Sequence, residues 1–584
     1  MRRVRSGNPV KSEVYNERAM KDWSPALAVR WLFASGPGKR DGLLPRWIFL
    51  RALGLIYYSA FFSLAFQIKG LIGPQGILPA GEYLREVAAQ FGRVGYWYAP
   101  TLLWISSGRH MLMGLCWVGM IASVLLVLNL WPRGMLAICF VCFLSFIGTA
   151  QDFSAYQSDG MLLEAGFISL FFAPQGFRPG WGEASPPSRA SWFLLVWECF
   201  RIYFESGVAK IMGGDPEWRN FTALDDYYQN GPLPTWIGWY MQHWPHWFHW
   251  ATTFGTLALE LVLAWMMFLP RRFRVMCFCI VTPWQIGIIL SANYTFLNYL
   301  VLVLGFLLLD DSVLKRFMPE RWKSKFNLVQ EAKPAGEASE KDSSNIPVLL
   351  KSDSPKDLGR ALRSSGQAEV RPYSAILNKQ WAALKLAVTM VMLAWIFYST
   401  AVQMVWMVKP VGLPTTPVST LEPFRIANRY GLFAIMTRGR YEIEFQGSDD
   451  GQTWLIYPFR FKPQDTGKAP GIYAPYQPRF DWNLWFASLS TWRQEPIVPR
   501  TEQALLHGSP DVLLLFAGNP FPKAPPKQVR AVLWQYWFTT AEEKRTSGMW
   551  WRREQLGIYA PTLARQNDGK IVVLQWPQMV EPRE

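Results

Sequence analysis

A polytopic α-helical membrane bundle of about nine spans, followed by a soluble, β-rich, sandwich-like C-terminal domain, is the architecture this sequence predicts. Three observations lead there. Of the 584 residues, 50% are hydrophobic and 16% aromatic, more than an average globular domain carries. The apolar residues gather in long runs rather than at amphipathic spacing, which points to a bilayer. Beyond Pro410 the texture changes to short alternating runs separated by turn residues, the pattern of strands.

A crossing needs about 20 predominantly apolar residues. By that measure the spans are residues 47–66, 111–130, 135–150, 156–172, 191–211, 248–269, 273–290, 294–309 and 381–407, with the third, fourth and eighth short. The first run begins only after a basic, polar stretch and is long enough to stay in the membrane as an anchor, so no cleavable leader is expected. Residues 1–46 then form a basic cytoplasmic leader and 47–309 a transmembrane bundle of about eight helices. Residues 310–380 form a charged, disordered cytoplasmic linker, 381–408 a last transmembrane helix and 409–584 an outward-facing β-rich domain. The linker centres on EAKPAGEASEKDSS, rich in Lys, Ser, Glu and Ala and poor in aromatics, a composition too polar to build a core.

The net charge is +16 and the pI about 9.5, but the Lys and Arg residues mostly flank apolar runs. That distribution argues for membrane orientation rather than a nucleic-acid partner, which would need a basic groove with stacking aromatics. With Arg2, Arg3, Arg5, Lys39 and Arg40 inside, the next basic groups are Arg133, then Arg178 and Arg189, then Arg271, Arg272 and Arg274, then Lys315, Arg316, Arg321, Lys323 and Lys325. Strict alternation of nine spans is not expected to bring all of these to one side, and Lys69, Arg85, Arg93 and Arg109 dilute the signal. An odd number of spans places the C-terminal domain outside the cytosol. The expected location is a bacterial inner membrane with a periplasmic domain, or the endoplasmic reticulum membrane with a lumenal one.

All six cysteines (116, 139, 142, 199, 277 and 279) fall in predicted spans, so the C-terminal domain folds without disulfides. Cys139 and Cys142 form a C-x-x-C, but inside an apolar helix they read as packing groups. In the C-terminal domain, RYEIEF at 440–445, the turn SDDG at 448–451 and TWLIYPFRF beyond it predict a β-hairpin. Further strands are expected at 512–516, 529–538 and 570–574, and a helix at 482–490.

Ionisable residues within spans are costly, by about 2.5–3.5 kcal/mol on insertion scales, and so are candidate functional groups. Glu198, Arg201 and Glu205 share one helix face, where Arg201 can pair with either carboxylate. Lys210 lies off that face; it is a snorkelling residue or, with Glu205 and Glu164 around a polar cavity, a catalytic base. Asp159, Glu164, Glu260, Asn293 and Asn298 are read as interhelical hydrogen-bonding groups or the lining of such a cavity. His243, His246 and His249, each followed by a Trp, spread too widely for a tetrahedral metal site and read as an interfacial aromatic belt. No metal or cofactor is expected. The only histidine of the C-terminal domain is His507, so no Ser-His-Asp set is available. Trp482, Trp485 and Phe486 are core candidates, with a client-binding surface as the alternative.

Eight separated stretches, in order, resemble the lipase maturation factor family in a bacterial-type form. They are GLIGPQGILPA (70–80), QSDGMLLEAGFISLFFAP (157–174), DPEWRNFTALDDYYQNGPLPTWIGWY (215–240), HWPHWFH (243–249), ANYTFLNYLVLVLGFLLLDD (292–311), PFRIANRYGLFAIMTR (423–438), EFQGSDDGQTW (444–454) and YQPRFDWNLWFASL (476–489). The motif positions include Asp225, Asp226, Tyr228, Pro232, Pro234, His243 and His249 in the membrane part. In the C-terminal part they include Arg425, Tyr430, Asp449, Asp450, Trp454, Pro478, Arg479, Asp481 and Trp482. Tyr227 and Gln229 depart from the histidine and glutamate often found in the family. YFESGVAK at 203–210 is distantly similar to the membrane domain of the vitamin K-dependent γ-carboxylase, whose catalytic lysine would fall on Lys210. The resemblance implies a membrane-anchored factor that helps exported lipases fold and assemble, with the bilayer and a lipase-like client as partners. The alternative is a carboxylase-like or lipid-modifying enzyme using Lys210 as base.

Overall fold

The computed structural model describes residues 25–34, 42–331 and 373–579. The predicted linker lies largely outside the described residues, as does most of the predicted leader. A helix stands at each of the nine predicted stretches: α1 (Leu43–Ile72), α2 (Arg109–Val127), α3 (Pro132–Ile147), α4 (Gln157–Phe172), α5 (Arg189–Met212), α6 (His246–Leu261), α7 (Arg271–Ser291), α8 (Leu297–Gly305) and α9 (Tyr373–Val408).

Nine crossings are nevertheless not confirmed. Among the described residues, α1, α2, α6 with its continuation to Phe268, α7 and Gln380–Val408 of α9 are long and apolar enough to cross a membrane. A sixth crossing is possible if Leu297–Leu308 and Asp311–Phe317, bent by 101°, count as one. The shortfall has two physical causes. Helices α3 and α4 have 16 residues each, which at about 1.5 Å per residue reach about 24 Å against a hydrocarbon core of about 30 Å. Helix α5 has 24 residues but carries Glu198, Arg201, Glu205 and Lys210 along them.

Helix packing fixes which loops share an end. Leu43 and Leu44 at the start of α1 donate backbone N–H groups to the Asp311 carboxylate at 3.2 and 2.7 Å. Arg133 reaches the Ala173 carbonyl (2.8 Å), Asn129 the Gly180 carbonyl (2.7 Å), and Arg46 the carbonyls of Gly182 and Ser185. Arg271 pairs with Asp310. The loops carrying the basic residues therefore gather at one end of the bundle, which corrects the expectation that alternation would scatter them. Close approach of α1 and α2 depends on Gly119, where a Cβ would stand 2.5 Å from the Phe61 ring. Five cysteines are buried and Cys279 is exposed, all as free thiols.

The C-terminal region is one antiparallel sheet rather than the expected sandwich. Its strands are β1 (Arg440–Ser448), β2 (Leu455–Ile456), β3 (Gln528–Phe538), β4 (Trp551–Ile558), β5 (Thr562–Arg565), β6 (Ile571–Gln575) and β7 (Gln578–Met579). The order is β2-β1-β3-β4-β7, with β5 between β3 and β6. The layer over this sheet is made of helices: α10 (Arg479–Ser488) packs on β1 and α11 (Ile497–Leu506) on β3. The predicted hairpin is present, with Gln446 opposite Ile456. Its turn is shaped by Asp450, whose Oδ1 accepts the Gln452 and Thr453 N–H groups at 2.8 Å each, holding that carboxyl below the usual range. The predicted strands at 529–538 and 570–574 are β3 and β6. The stretch 512–516 is not a strand: Pro510 opens a helical turn, Pro510–Leu513, as its fixed φ favours.

Strand β1 is buried on both faces. Tyr441, Ile443 and Phe445 pack as apolar groups, while Arg440, Glu442 and Glu444 alternate with them. Glu442 is paired with Arg440 and with Lys462 (2.9 Å), and Glu444 with Arg553 (3.2 Å). Glu502 on α11 has no such partner: it is fully buried and neither carboxyl oxygen finds a donor in ordinary geometry. Burial lifts its carboxyl well above the usual value of 4.5. The folded state thus keeps a proton that the unfolded chain releases, and stability from this site is lost as pH rises above about 4.5. We predict that Glu502→Gln stabilises the protein at pH 7 by about 1–3 kcal/mol, with little gain at pH 4, read as the thermal unfolding midpoint at each pH.

Candidate functional site

At the end of the bundle opposite the basic loops, the buried polar groups of the helices meet segments of the C-terminal region. Arg479, the first residue of α10, donates through both terminal nitrogens to Asp159 on α4, at 2.7 Å each, and through one of them to the Phe153 carbonyl at 2.6 Å. Both side chains are essentially inaccessible, and the guanidinium lies over the Tyr156 ring at 5.4 Å. This bidentate form is the strongest geometry open to a carboxylate and an arginine. Tyr156 in turn accepts from Asn483 (2.6 Å) and donates to the Arg479 carbonyl (3.2 Å), so the pair is held from both sides.

A second junction forms where residues 428–430 enter the bundle. Arg201 pairs with Glu164 on α4 and donates to the Asn428 carbonyl at 2.6 Å. The second Glu164 oxygen accepts from the Tyr430 hydroxyl (2.9 Å) and the Asn428 backbone N–H (3.0 Å). Glu205 accepts the Tyr430 N–H at 2.7 Å and stands 3.9 Å from Arg201. The expected ladder along one face of α5 is therefore corrected: the main partner of Arg201 comes from a neighbouring helix, and neither oxygen of Glu198 finds a donor in ordinary geometry.

Lys210 does not snorkel. It is buried and donates to both oxygens of Glu260 on α6 (2.8 and 2.9 Å) and to the Leu432 carbonyl (2.9 Å). All three ammonium protons have acceptors, so Lys210 is held as one half of a buried ion pair rather than presented to a substrate. Glu164 and Glu205 belong to the Arg201 junction instead, so the polar cavity imagined around Lys210, Glu205 and Glu164 does not exist as one site. Nearby, Trp218 donates to the Phe433 carbonyl (2.9 Å) and Asp215 accepts the Met436 N–H.

The remaining contacts extend this seam. Arg440 donates to the carbonyls of Gln229 (3.0 Å), Gly231 and Pro232 (3.2 Å). Asn293 accepts the Tyr473 and Ala474 N–H groups (2.7 and 3.0 Å) and donates to the Gly471 carbonyl (2.9 Å). Gln229, one of the two departures from the family pattern, accepts the Phe538 N–H of β3 at 2.7 Å. Asn298, bonded to Gln285 on α7 at 2.7 Å, the Lys210–Glu260 pair and the Arg201–Glu164 pair between α5 and α4 make the helix-to-helix contacts expected of these groups.

Other singled-out residues are dispersed. His243 and His249 bond the carbonyls of Trp239 (2.7 Å) and Trp244 (3.0 Å), and His246 sits 3.0 Å from Asp225. Among the described residues no group of His, Cys, Asp or Glu is placed to hold a metal ion. Trp244, Trp247 and Trp250 are exposed, as an interfacial belt requires. Tyr228 is buried with its ring 5.7 Å from His249, Asp226 is exposed, and Pro234 bridges Ala292. In the C-terminal region Asp449 accepts the Lys527 N–H (3.3 Å), Trp454 lies under Arg530 (4.0 Å) and Arg425 is exposed. Pro478 caps α10. Asp481 accepts the Phe461 and Lys462 N–H groups at 3.2 Å each, yet burial pushes its carboxyl up to about 6. Trp482 and Trp485 are buried, while Phe486 is 43% exposed.

Both sides of this seam fall within matched family regions. The family model for the lipase maturation factor transmembrane domain matches residues 44–316, and that for the lipase maturation factor C-terminal domain matches residues 426–561. Lipase maturation factor 2 of Gallus gallus is 32% identical over 600 residues, covering 89% of this chain and 81% of its own. The chain belongs to the lipase maturation factor family. Lipase maturation factor 1 of Bos taurus is 30% identical over 554 residues, covering 91% of each chain, and that of Homo sapiens 28% identical over 538 residues, covering 89% and 88%. No solved structure matches. Within the family's two regions, Asp159, Glu164, Arg201 and Lys210 come from the transmembrane domain, and Asn428, Tyr430, Leu432, Arg440 and Arg479 from the C-terminal one.

Removing one member of a buried ion pair strands the other charge. Asp159→Ala is therefore expected to destabilise the protein by about 3–5 kcal/mol and to open the C-terminal region to limited proteolysis. The double variant Asp159→Leu with Arg479→Met should recover most of the unfolding midpoint.

Proposed function

We propose that this protein is a non-enzymatic membrane maturation factor, whose bundle holds the C-terminal domain at the outer membrane surface to engage an exported lipase or similar client. The observation that carries this reading is the seam of buried ion pairs, which makes the sheet domain a rigid extension of the bundle. The relatives supply the client class by their names, lipase maturation factors 1 and 2.

Orientation follows from the two ends of the bundle. The basic loops gather at one end, the end that the positive-inside tendency assigns to the cytosol. Residues 409–579 pack at the opposite end, which supports a periplasmic or lumenal C-terminal domain reached by an odd number of crossings. Strand β6 pairs only with β5 among the described residues and exposes Val573, Leu574 and, just beyond it, Trp576. Such an apolar edge suits an incompletely folded chain. The enzymatic alternative is not favoured, because the Lys210 ammonium is consumed by its three acceptors.

The test uses the full-length protein with Lys570→Cys, an exposed position in a domain that has no cysteine of its own. A membrane-impermeant maleimide should label it on intact spheroplasts or sealed, correctly oriented vesicles; labelling only after permeabilisation would sink the assignment. Immunocapture of the intact protein should also co-purify a secreted lipase, and its deletion should lower the yield of active exported lipase several-fold. Unchanged lipase yield would remove the maturation role.

A further inference from the structure

Between α5, α6, α7 and α8 lies a cavity of about 420 Å³, inside the roughly 300–1,000 Å³ range of small-ligand sites. Its walls are largely apolar, with Ile202, Ile280, Leu297 and Val301 among them. On its α7 side the lining residues Ile280 and Gly287 are exposed, and a Cβ at Gly287 would meet nothing within 4 Å. Helix α7 is one of the apolar candidate crossings and buries little of its surface in the protein, so this side of the cavity opens to hydrocarbon.

The polar end is set by the Lys210–Glu260 pair. Every proton of the Lys210 ammonium is already donated, and the lysine side chain is 1% exposed. The Glu260 side chain is 13% exposed, so the cavity meets a carboxylate whose oxygens each retain acceptor capacity. A phosphate or carboxylate head group would face that negative charge with no free cation to offset it. An ammonium head group would add a third charge to a pair already balanced, in a region where unpaired charge is costly. A neutral hydroxyl fits both conditions, since its O–H can donate to Glu260.

We propose that this cavity binds a lipid alcohol, its hydrocarbon chain lying between α6 and α7 and its hydroxyl donating to Glu260. The site is independent of the client-binding reading. It also adjoins the seam, because Leu432 and Phe433 line the cavity and the Leu432 carbonyl accepts from Lys210.

The experiment takes the full-length protein in phosphatidylcholine vesicles with photoreactive probes that share one octadecyl chain and differ only in head group: hydroxyl, methyl ether, phosphate or amine. Cross-links are mapped by peptide mass spectrometry. The alcohol should label the segments around Thr256 and Gly287 about tenfold or more above the ether and the phosphate, as expected when a hydrogen bond to a charged acceptor is gained. In Gly287→Trp, which sets an indole at the mouth of the cavity, alcohol labelling should fall to the ether level. Equal labelling by alcohol and ether, preference for the phosphate or the amine, or cross-links confined to other helices would each overturn the proposal. If Gly287→Trp fails to fold, the head-group comparison on the unaltered protein still decides it.

Discussion

Charge inside a membrane protein must be matched, and in this protein the match is made between regions far apart in the chain. Asp159, Glu164, Glu205 and Glu260 are carboxylates set into helices, and with Arg201 and Lys210 they meet Arg479, Tyr430, Asn428 and the Leu432 carbonyl of the C-terminal region. An unmatched charge in that setting costs several kcal/mol. The sheet domain is therefore not a bead on a tether. It completes the electrostatics of the bundle, and the bundle in turn holds the segments 428–440 and 471–483 in place.

The same rule governs the sheet itself. β1 is buried on both faces, and its polar face is tolerated because Glu442 and Glu444 each meet a cation. Arg440 belongs to both systems, pairing with Glu442 and reaching carbonyls of the loop between α5 and α6. Strand geometry in one region is thus tied to loop geometry in the other, which suits a scaffold that must present a fixed surface.

The spans were legible because an apolar run is a local property, and each predicted run is a helix. How many cross was less legible: α3 and α4 are too short alone and α5 too charged, and whether such helices traverse depends on neighbours. The hairpin, β3 and β6 followed from alternation and turn residues. The single helix-covered sheet did not, since α10 and α11 supply a layer that strand counting cannot foresee. The functional groups were visible as misplaced charges, but their partners were not. Asp159 and Arg479 are 320 positions apart, and no periodicity links such residues. Arg440 was missed, although the alternation in RYEIEF placed a charge on what had to be a buried face.

The length of that separation bears on biogenesis. A ribosome adds roughly 5–20 residues per second, so the carboxylate at position 159 is synthesised some 15–60 seconds before its arginine exists. Throughout that interval the nascent helices hold an orphan acid, and the chain is exposed to quality control until translation ends. A polypeptide that stops short of α10 would carry that vulnerability permanently.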